Sequence, residues 1–301
     1  IESFVPREYW TVSTKLKTAD GKDIEARLTH LDGKRLDKFD LADEAKAHAA
    51  RDRIQAGEHS VENIEAKRTR RNPSPPFTTS TLQQEASRKL SFTARQTMGV
   101  AQQLYEGREI DGEHVGLITY MRTDGVHIAA EAIAHARSTI GSEYGKPYVP
   151  DEPRTYRNQA KNAQEAHEAI RPTDLSRLPA QIRNRLTDDQ ARLYDLIWKR
   201  TLASQMESAQ IDQTAIVITP IDGAHTLRAT GSVIAFDGFL RLYQEGRDEP
   251  SGEDDDRRLP KVEKGQRLAL STVTPDQHFT EPPPRFSKAS LVKELERLGI
   301  G

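Results

Sequence analysis

The spacing of apolar residues changes character twice along the chain. Near the N-terminus, residues 9–16 and 24–28 are rich in β-branched and aromatic side chains and flank an Asp-Gly turn, which predicts a β-hairpin. From 82 to 206 the apolar residues recur mainly at helical spacing. After residue 211 the pattern returns to strands, which we place at 211–220, 225–235, 239–245 and 266–274. The order β, α, β predicts a multidomain α+β chain.

Glycines and capping residues bound the predicted helices. Helices often begin after Ser, Thr, Asp or Asn, because these side chains accept hydrogen bonds from the free N–H groups of the first turn. They often stop at Gly, because Gly adopts the left-handed conformation that ends a helix. The helices predicted in this way are 41–56, one capped within Thr78–Thr81, 93–105, 128–140, 186–206 and one that follows prolines 282–284 and ends at Gly299. A stiff Pro-rich connector, Asn72–Phe77, marks the first expected lobe boundary.

Composition narrows the class of protein. The 301 residues are 35% hydrophobic and 30% charged, and no apolar run approaches the roughly 20 residues of a membrane span. No Cys is present, which excludes disulfides and thiolate zinc sites and fits a reducing cytoplasm. No signal peptide is visible. The chain begins at Ile1 without Met, and we expect it to be an excised part of a longer protein.

Charge is unevenly distributed along the chain. The net charge of −2 argues mildly against global electrostatic attraction to nucleic acid. The segment 67–71 is basic and the segment 253–256 is acidic. A basic run is most often a solvated face, so segment 67–71 is weak evidence for a partner.

One segment carries most of the candidate chemistry. Residues 115–119 read as a short buried strand that delivers Tyr120 to a polar Arg-Thr-Asp-Gly turn. A phenol is a weak nucleophile unless a neighbouring group takes its proton or stabilises the phenolate. On a continuing strand Arg122 would share a face with Tyr120, and Asp124 would orient its guanidinium. The alternative is a tyrosine at the edge of the core followed by a solvated turn.

A second polar segment, residues 163–174, reads as a helix that Pro172 ends. Gln164, His167, Glu168 and Arg171 would share one face of it. The His-Glu pair suggests a zinc-protease motif, but the required second His is replaced by Arg171, which excludes that interpretation. The alternative is a surface salt-bridge face.

Four stretches, in order, resemble the signatures of type IA DNA topoisomerases. They are 76–86, Ile118–Asp124, 163–174 and 281–301, and Met121 is typical of the bacterial topoisomerase I branch. One departure is visible: the family usually has Ser where this chain has Gly125, so a hydroxyl hydrogen bond is lost there.

The resemblance implies a fold and a set of roles. A helical gate lobe carrying the tyrosine would be inserted between two halves of a β-rich arch. Tyr120 would attack a DNA phosphodiester, leaving a 5′-phosphotyrosine, and Arg122 would stabilise the phosphate. Thr123, Asp124, His167 and Arg171 would bind DNA or its phosphates.

Domain boundaries, cofactor and partners follow from the same resemblance. The parent protein would relax negatively supercoiled DNA without ATP, bind single-stranded segments and lie in the bacterial cytoplasm at the nucleoid. Mg²⁺ would be held by a Toprim domain that we do not find in this sequence, so we expect no metal site here and little activity of this chain alone. The expected parts are 1–66 (arch, first part), 67–90 (connector and hinge helix), 91–206 (helical lobe), 207–280 (arch, second part) and 281–301 (start of the base domain).

Two other functions remain open. In a non-catalytic single-stranded-DNA-binding or interaction module, Tyr120 would stack on a base and attack nothing. A tyrosine recombinase would link to the opposite, 3′ phosphate, and its usual spread of Arg and His residues around the tyrosine is not evident.

Overall fold

The computed structural model describes residues 3–110, 112–157, 168–246 and 258–300. Two compact units form, each from three separate stretches of chain. The first contains Ile1–Thr69, Ile211–Ala235 and Gly252–Arg285, and the second contains Arg70–Gln210, Phe236–Ser251 and Phe286–Gly301.

The longer strands precede and follow a mainly helical stretch in the sequence, as the apolar pattern predicts. The strands are β1 (Glu8–Lys17), β2 (Asp23–Leu31), β3 (Lys34–Arg35), β4 (His59–Arg71), β5 (Arg108–Ile110), β6 (Glu113–Val115), β7 (Ala209–Pro220), β8 (His225–Phe236) and β9 (Arg267–Phe279). The helices are α1 (Glu44–Ala56), α2 (Thr79–Leu90), α3 (Ala94–Glu106), α4 (Ala130–Glu143), α5 (Pro179–Ile182), α6 (Asp188–Ser204) and α7 (Lys288–Arg297). Among the described residues no helix is long and apolar enough to cross a membrane.

The sheet of the first unit closes on itself. Its strands run in the order β1-β9-β4-β7-β8-β2-β3, and β1 also pairs with β2. β1 therefore bonds to two neighbours, with Thr14 opposite Ala26 of β2 and Ser13 opposite Thr274 of β9. Closure removes the free strand edges of the ring, which would otherwise offer unpaired backbone groups to other chains.

The core of the first unit lies under these strands and α1. Leu16 and Ile24 are fully buried on the β1–β2 hairpin, and Leu227 is fully buried on β8. Ala50 and Ile54 of α1 join the same hydrophobic cluster. Burying one such large apolar side chain stabilises a fold by about 1.5–3 kcal/mol, so the alternating pattern of the hairpin fixes which of its faces turns inward.

The second unit is built around α6. Leu82 of α2, Leu104 of α3 and Ile197 of α6 are fully buried in one cluster. Tyr194 and Trp198 of α6 also donate side-chain hydrogen bonds, at 2.8 and 3.0 Å, to the carbonyl oxygens of residues 177 and 175. α6 thus fixes the chain that follows residue 171.

Two helices of the second unit, α2 and α6, begin at threonine N-caps. The Thr78 and Thr187 side chains accept from backbone N–H groups three residues on, and each forms a reciprocal capping box. Such caps are worth about 1 kcal/mol each.

Three sequence-based assignments are wrong in part. Residues 239–245, predicted as a strand, begin with the 3-10 helix Gly238–Arg241, because Phe239 and Tyr243 are buried at helical spacing. The predicted strand 115–119 continues β6 only to Val115 and then runs extended with a single bridge. α4 continues through Gly141 to Glu143, because Gly141 does not adopt the positive φ with which a glycine ends a helix.

The predicted helix over residues 163–171 is also wrong for its described part. Glu168 and Ile170 form isolated β-bridges with His127 and Phe77. Two extended neighbours supply backbone partners there, and these outweigh the helical spacing of the polar residues. Gln164 and His167 lie outside the described residues.

A buried pair of histidines links β4 and β8. The Nε2 atoms of His59 and His225 lie 2.9 Å apart, and the two residues are 3% and 1% exposed. One Nε2 carries the proton and donates it, and the other Nε2 must be unprotonated to accept it. Burial lowers the pKa of His59, and burial together with the neighbouring imidazole lowers the pKa of His225 to about 4.

This pair predicts an acid-sensitive first unit. The unfolded chain takes up protons at its histidines as the pH falls below about 6.5, whereas folded His225 does not until about pH 4. The pKa of folded His59 is also lowered. The free energy of unfolding should therefore fall by on the order of 2–3 kcal/mol between pH 7 and pH 4.5 from His225 alone. Thermal unfolding followed by circular dichroism at the two pH values measures this loss.

The double variant His59→Leu/His225→Leu should have a shallower dependence of Tm on pH than the unaltered chain. His48→Gln is the matched control, because His48 is a half-exposed histidine on α1. An unchanged pH dependence in the double variant would contradict the role of the pair.

Candidate active site

Tyr120 ends an extended segment that two neighbouring stretches hold by their backbones. The Leu117 N–H donates to the carbonyl oxygen of Leu104 at 2.8 Å, and the Thr119 N–H donates to that of Arg171 at 2.9 Å. Thr173 returns a hydrogen bond to the Leu117 carbonyl at 3.1 Å. The segment belongs to no regular sheet, but these three backbone hydrogen bonds fix its path up to Thr119, the residue before the tyrosine.

The side chain of Thr119 adds a second anchor. Its hydroxyl donates to the carbonyl oxygen of Ala169 at 2.7 Å and accepts from the Arg171 N–H at 3.0 Å. One hydroxyl therefore joins the tyrosine segment to residues 169–171, which is one of the stretches that the sequence singled out.

Exposure alternates from Tyr120 onwards. Tyr120, Arg122 and Asp124 are exposed, whereas Met121 and Thr123 are 1% and 8% exposed. The phenol, the guanidinium and the carboxylate are therefore presented to solvent, with Tyr120 46% exposed.

The turn after the tyrosine is held by Thr79, in the first turn of α2. The Thr79 hydroxyl donates to the carbonyl oxygen of Met121 at 2.7 Å and accepts from the Thr123 N–H at 2.8 Å. The Thr79 N–H also donates to the Thr123 carbonyl oxygen at 2.9 Å. Gly125, where the family usually has Ser, donates its N–H to the Thr123 hydroxyl at 2.9 Å.

Arg171 is held by a carboxylate beside this segment. Its Nε and Nη2 donate to the two carboxylate oxygens of Glu168 at 2.7 and 3.0 Å, and its Nη1 donates to the Pro172 carbonyl at 2.9 Å. The Glu168 carboxylate also accepts from the Ala129 N–H at the start of α4. Burial acts to raise the pKa of Glu168, but the hydrogen bonds from Arg171 and Ala129 outweigh it and hold that pKa below its ordinary value.

A second tyrosine contacts the first. The rings of Tyr105 and Tyr120 meet edge to face, with centroids 5.3 Å apart and planes at 65°. Tyr105 belongs to the last turn of α3 and is itself 41% exposed. A Cβ on Gly116 would lie 2.8 Å from the Tyr105 carbonyl oxygen, so the missing side chain lets α3 approach the tyrosine segment.

The structure thus places five of the six predicted site residues on neighbouring stretches. Tyr120, Arg122, Thr123 and Asp124 lie on one turn, and Arg171 lies on the stretch bonded to Thr119. His167 is outside the described residues. Among the residues that are described, none forms a side-chain hydrogen bond or ion pair with Arg122, so its guanidinium can accept an anion. The described ranges contain no group of three or more His, Cys, Asp or Glu that could hold a metal ion.

Sequence reasoning missed Thr79, Glu168 and Tyr105 as neighbours of the site. Thr79 lies in a recognised stretch but was considered only as a candidate N-cap, whereas Thr78 is the N-cap. Glu168 was assigned to a helix face. No signal in the sequence alone pairs Tyr105 with Tyr120, because the contact depends on how closely α3 approaches the segment.

The fold and this turn define an α+β protein that presents a tyrosine and an arginine together. A family model described as DNA topoisomerase matches residues 1–301. DNA topoisomerase 1 of Rickettsia bellii is 45% identical over 301 residues, with 100% of this chain and 38% of the relative covered. DNA topoisomerase 1 of Zymomonas mobilis is 51% identical over 305 residues, with 100% of this chain and 24% of the relative covered.

A solved structure agrees with this assignment. Full-length topoisomerase I from Thermotoga maritima matches with a TM-score of 0.78 at 34% identity, over 100% of this chain and 45% of that one. The chain belongs to the DNA topoisomerase family, in its bacterial type IA branch, and the α+β type IA fold expected from the sequence is confirmed. The chain spans less than half the length of these relatives.

The close approach at Gly116 predicts a sharp cost for a side chain there. Gly116→Ala should lower the free energy of unfolding by about 1–3 kcal/mol, because the obstructing atom is a backbone oxygen that cannot move aside cheaply. Urea unfolding of the chain measures the change.

The matched control is Gly99→Ala. A Cβ at Gly99, inside α3, would meet nothing within 4 Å. Replacing an interior helical Gly by Ala there should stabilise the chain by about 0.5–1 kcal/mol. Equal stability changes at the two positions would show that the α3 contact does not constrain Gly116.

Proposed function

We propose that this chain is the strand-cleaving part of a type IA topoisomerase that relaxes negatively supercoiled DNA. One observation carries the proposal: a half-exposed tyrosine follows a doubly anchored segment, and an exposed arginine unpaired among the described residues lies two positions on. A fixed nucleophile beside a free cation is the arrangement that transesterification at a phosphate needs.

The proposed step exchanges one phosphate ester for another. The Tyr120 hydroxyl oxygen attacks the phosphorus, a phosphorus–oxygen bond to the tyrosine forms, and the bond to the DNA 3′ oxygen breaks. The phenol proton balances the new 3′-hydroxyl, and the DNA keeps a 5′-phosphotyrosine. Arg122 stabilises the charge on the phosphate in the transition state. Reversal reseals the strand after another strand has passed, so no ATP is required.

Arg171 and its neighbours bind DNA in this proposal. A guanidinium has five N–H donors, and Arg171 uses one from each nitrogen on Glu168 and Pro172. The remaining donors are available to a phosphate, while Glu168 keeps the guanidinium in place. Thr123, Asp124 and His167 complete the DNA-binding set.

Cofactor and partners belong to the longer protein. The resemblance to type IA topoisomerases implies that Mg²⁺ assists the parent enzyme from a Toprim domain. No step is assigned to the metal here. The partners are single-stranded segments of DNA and the remaining domains of the parent, in the bacterial cytoplasm at the nucleoid.

A second function is favoured by one observation. The exposed Tyr105–Tyr120 pair offers aromatic surface on which a base can stack, with no covalent chemistry. Loss of the Tyr120 hydroxyl separates the two functions, because stacking survives it and covalent capture does not.

Tyr120→Phe should abolish covalent capture of DNA. End-labelled single-stranded DNA is incubated with the full-length protein that carries this sequence and with Mg²⁺, denatured and resolved on a gel. We expect an adduct at the 5′ side of the break for the unaltered protein and none for the variant, with DNA binding unchanged within about twofold.

Tyr105→Phe serves as the control, since it removes a hydroxyl from the neighbouring ring and leaves the nucleophile. An adduct that persists in Tyr120→Phe would exclude Tyr120 as the nucleophile. A 3′-linked adduct would point to recombinase-type polarity.

The isolated chain should not relax a supercoiled plasmid. This expectation rests on the resemblance, which implies that religation in the family depends on the Toprim domain. A plasmid relaxation assay with equimolar full-length protein as reference tests this. Relaxation by the chain alone, lost in its Tyr120→Phe variant, would overturn the expectation.

A further inference from the structure

Thr79 holds the backbone of the turn that carries Arg122, through its hydroxyl and through its N–H, which donates to the Thr123 carbonyl oxygen. The Thr79 hydroxyl lies between two backbone groups, the Met121 carbonyl at 2.7 Å and the Thr123 N–H at 2.8 Å. These groups flank Arg122 on both sides. Because a hydroxyl donates once and accepts as well, Thr79 satisfies both groups simultaneously.

Arg122 has little else to fix it. Its side chain is exposed, and among the described residues none bonds to it, whereas Met121 and Thr123 are buried. The direction of the Arg122 side chain therefore depends on the backbone of its two neighbours. That backbone is bonded to α2, a helix with a reciprocal capping box and a buried Leu82.

We propose that Thr79 is a positioning residue for the cleavage reaction, acting through the Met121–Thr123 backbone on Arg122. This inference rests on the proposed function for its catalytic consequence. The hydroxyl holds the guanidinium over the phosphate that Tyr120 attacks, and no contact of Thr79 with DNA is required. Small displacements of a charge from the reacting phosphate reduce rates strongly.

The first test needs no activity. Amide hydrogen exchange of this chain is followed by NMR at Thr123, whose N–H bonds to the Thr79 hydroxyl. Thr79→Val keeps the shape but removes the hydroxyl, and should speed Thr123 exchange by about 10-fold or more. Thr79→Ser should restore protection. The Thr81 amide, bonded to Thr78, is the internal reference.

The second test uses the full-length protein in single-turnover cleavage of labelled single-stranded DNA at saturating concentration. Thr79→Val should cleave about 10-fold more slowly, with DNA affinity, measured in a Tyr120→Phe background, within about twofold. Thr79→Ser should recover the rate. Ser80→Ala is the matched control on the same helical turn, because the Ser80 hydroxyl bonds to Glu296 and not to the turn.

A double-mutant cycle identifies the route of the effect. Arg122→Lys keeps the positive charge but replaces the planar guanidinium, with its fixed set of N–H donors, by an ammonium group. In this background Thr79→Val should slow cleavage by less than about twofold, because the guanidinium that Thr79 positions is already absent. If the cleavage rate of the double variant is reduced by the product of the two single-variant reductions, Thr79 does not act through Arg122. A weakened affinity with an unchanged cleavage rate would make Thr79 a DNA-binding residue and overturn the proposal.

The two proposals fail in different ways. If full-length protein forms no Tyr120-dependent adduct, the proposed function and the catalytic role of Thr79 both fall, while the exchange data still decide whether Thr79 holds the turn. If the adduct forms but Thr123 exchanges equally fast with and without the Thr79 hydroxyl, the positioning role alone falls.

Discussion

Backbone hydrogen bonding without a sheet is the constraint on which the site depends. Residues 117–123 contain one bridged residue, Ile118, and a bend at Met121, and their buried N–H and C=O groups need partners although no regular strand lies beside them. The end of α3, the stretch 169–173 and Thr79 each supply some of these partners. Three separate parts of the second unit must therefore be folded before Tyr120 has a fixed position.

This arrangement separates rigidity from chemistry. The residues that anchor the segment, such as Thr79 and Thr119, use neutral hydroxyls and backbone groups. The two arginines keep donors available: Arg122 has no side-chain partner among the described residues, and Arg171, bonded to Glu168 and Pro172, retains two. A charge bound to an internal partner is less available to a ligand, so anchoring by hydroxyls leaves both guanidinium groups with donors for the phosphate of the proposed function.

Much of the fold could be predicted from the sequence, because many of its helices and strands have the local apolar spacing, turns and caps typical of such elements. The β1–β2 hairpin has its apolar alternation and its turn, and α2, α3 and α6 have their capping threonines. The failures occur where distant contacts outweigh the local pattern: Phe239 and Tyr243 turn a β-like run into a helical turn, and Glu168–Ile170 take extended partners. The motif around Tyr120 could be found from sequence, but Thr79 and Tyr105 could not, since their roles depend on three-dimensional proximity.

The double pairing of β1 has a consequence for synthesis of the chain. β1 bonds to β2 a few residues later, but also to β9, where Ser13 lies opposite Thr274. During translation the first unit cannot complete its ring until β9 has left the ribosome, whereas most of the second unit is continuous from residue 70 to 210. Contacts so distant in sequence slow folding, and domains tend to fold as units while the chain is made. The nascent chain therefore exposes the unpaired edge of β1 longest, and this is where chaperone binding or misassembly should concentrate.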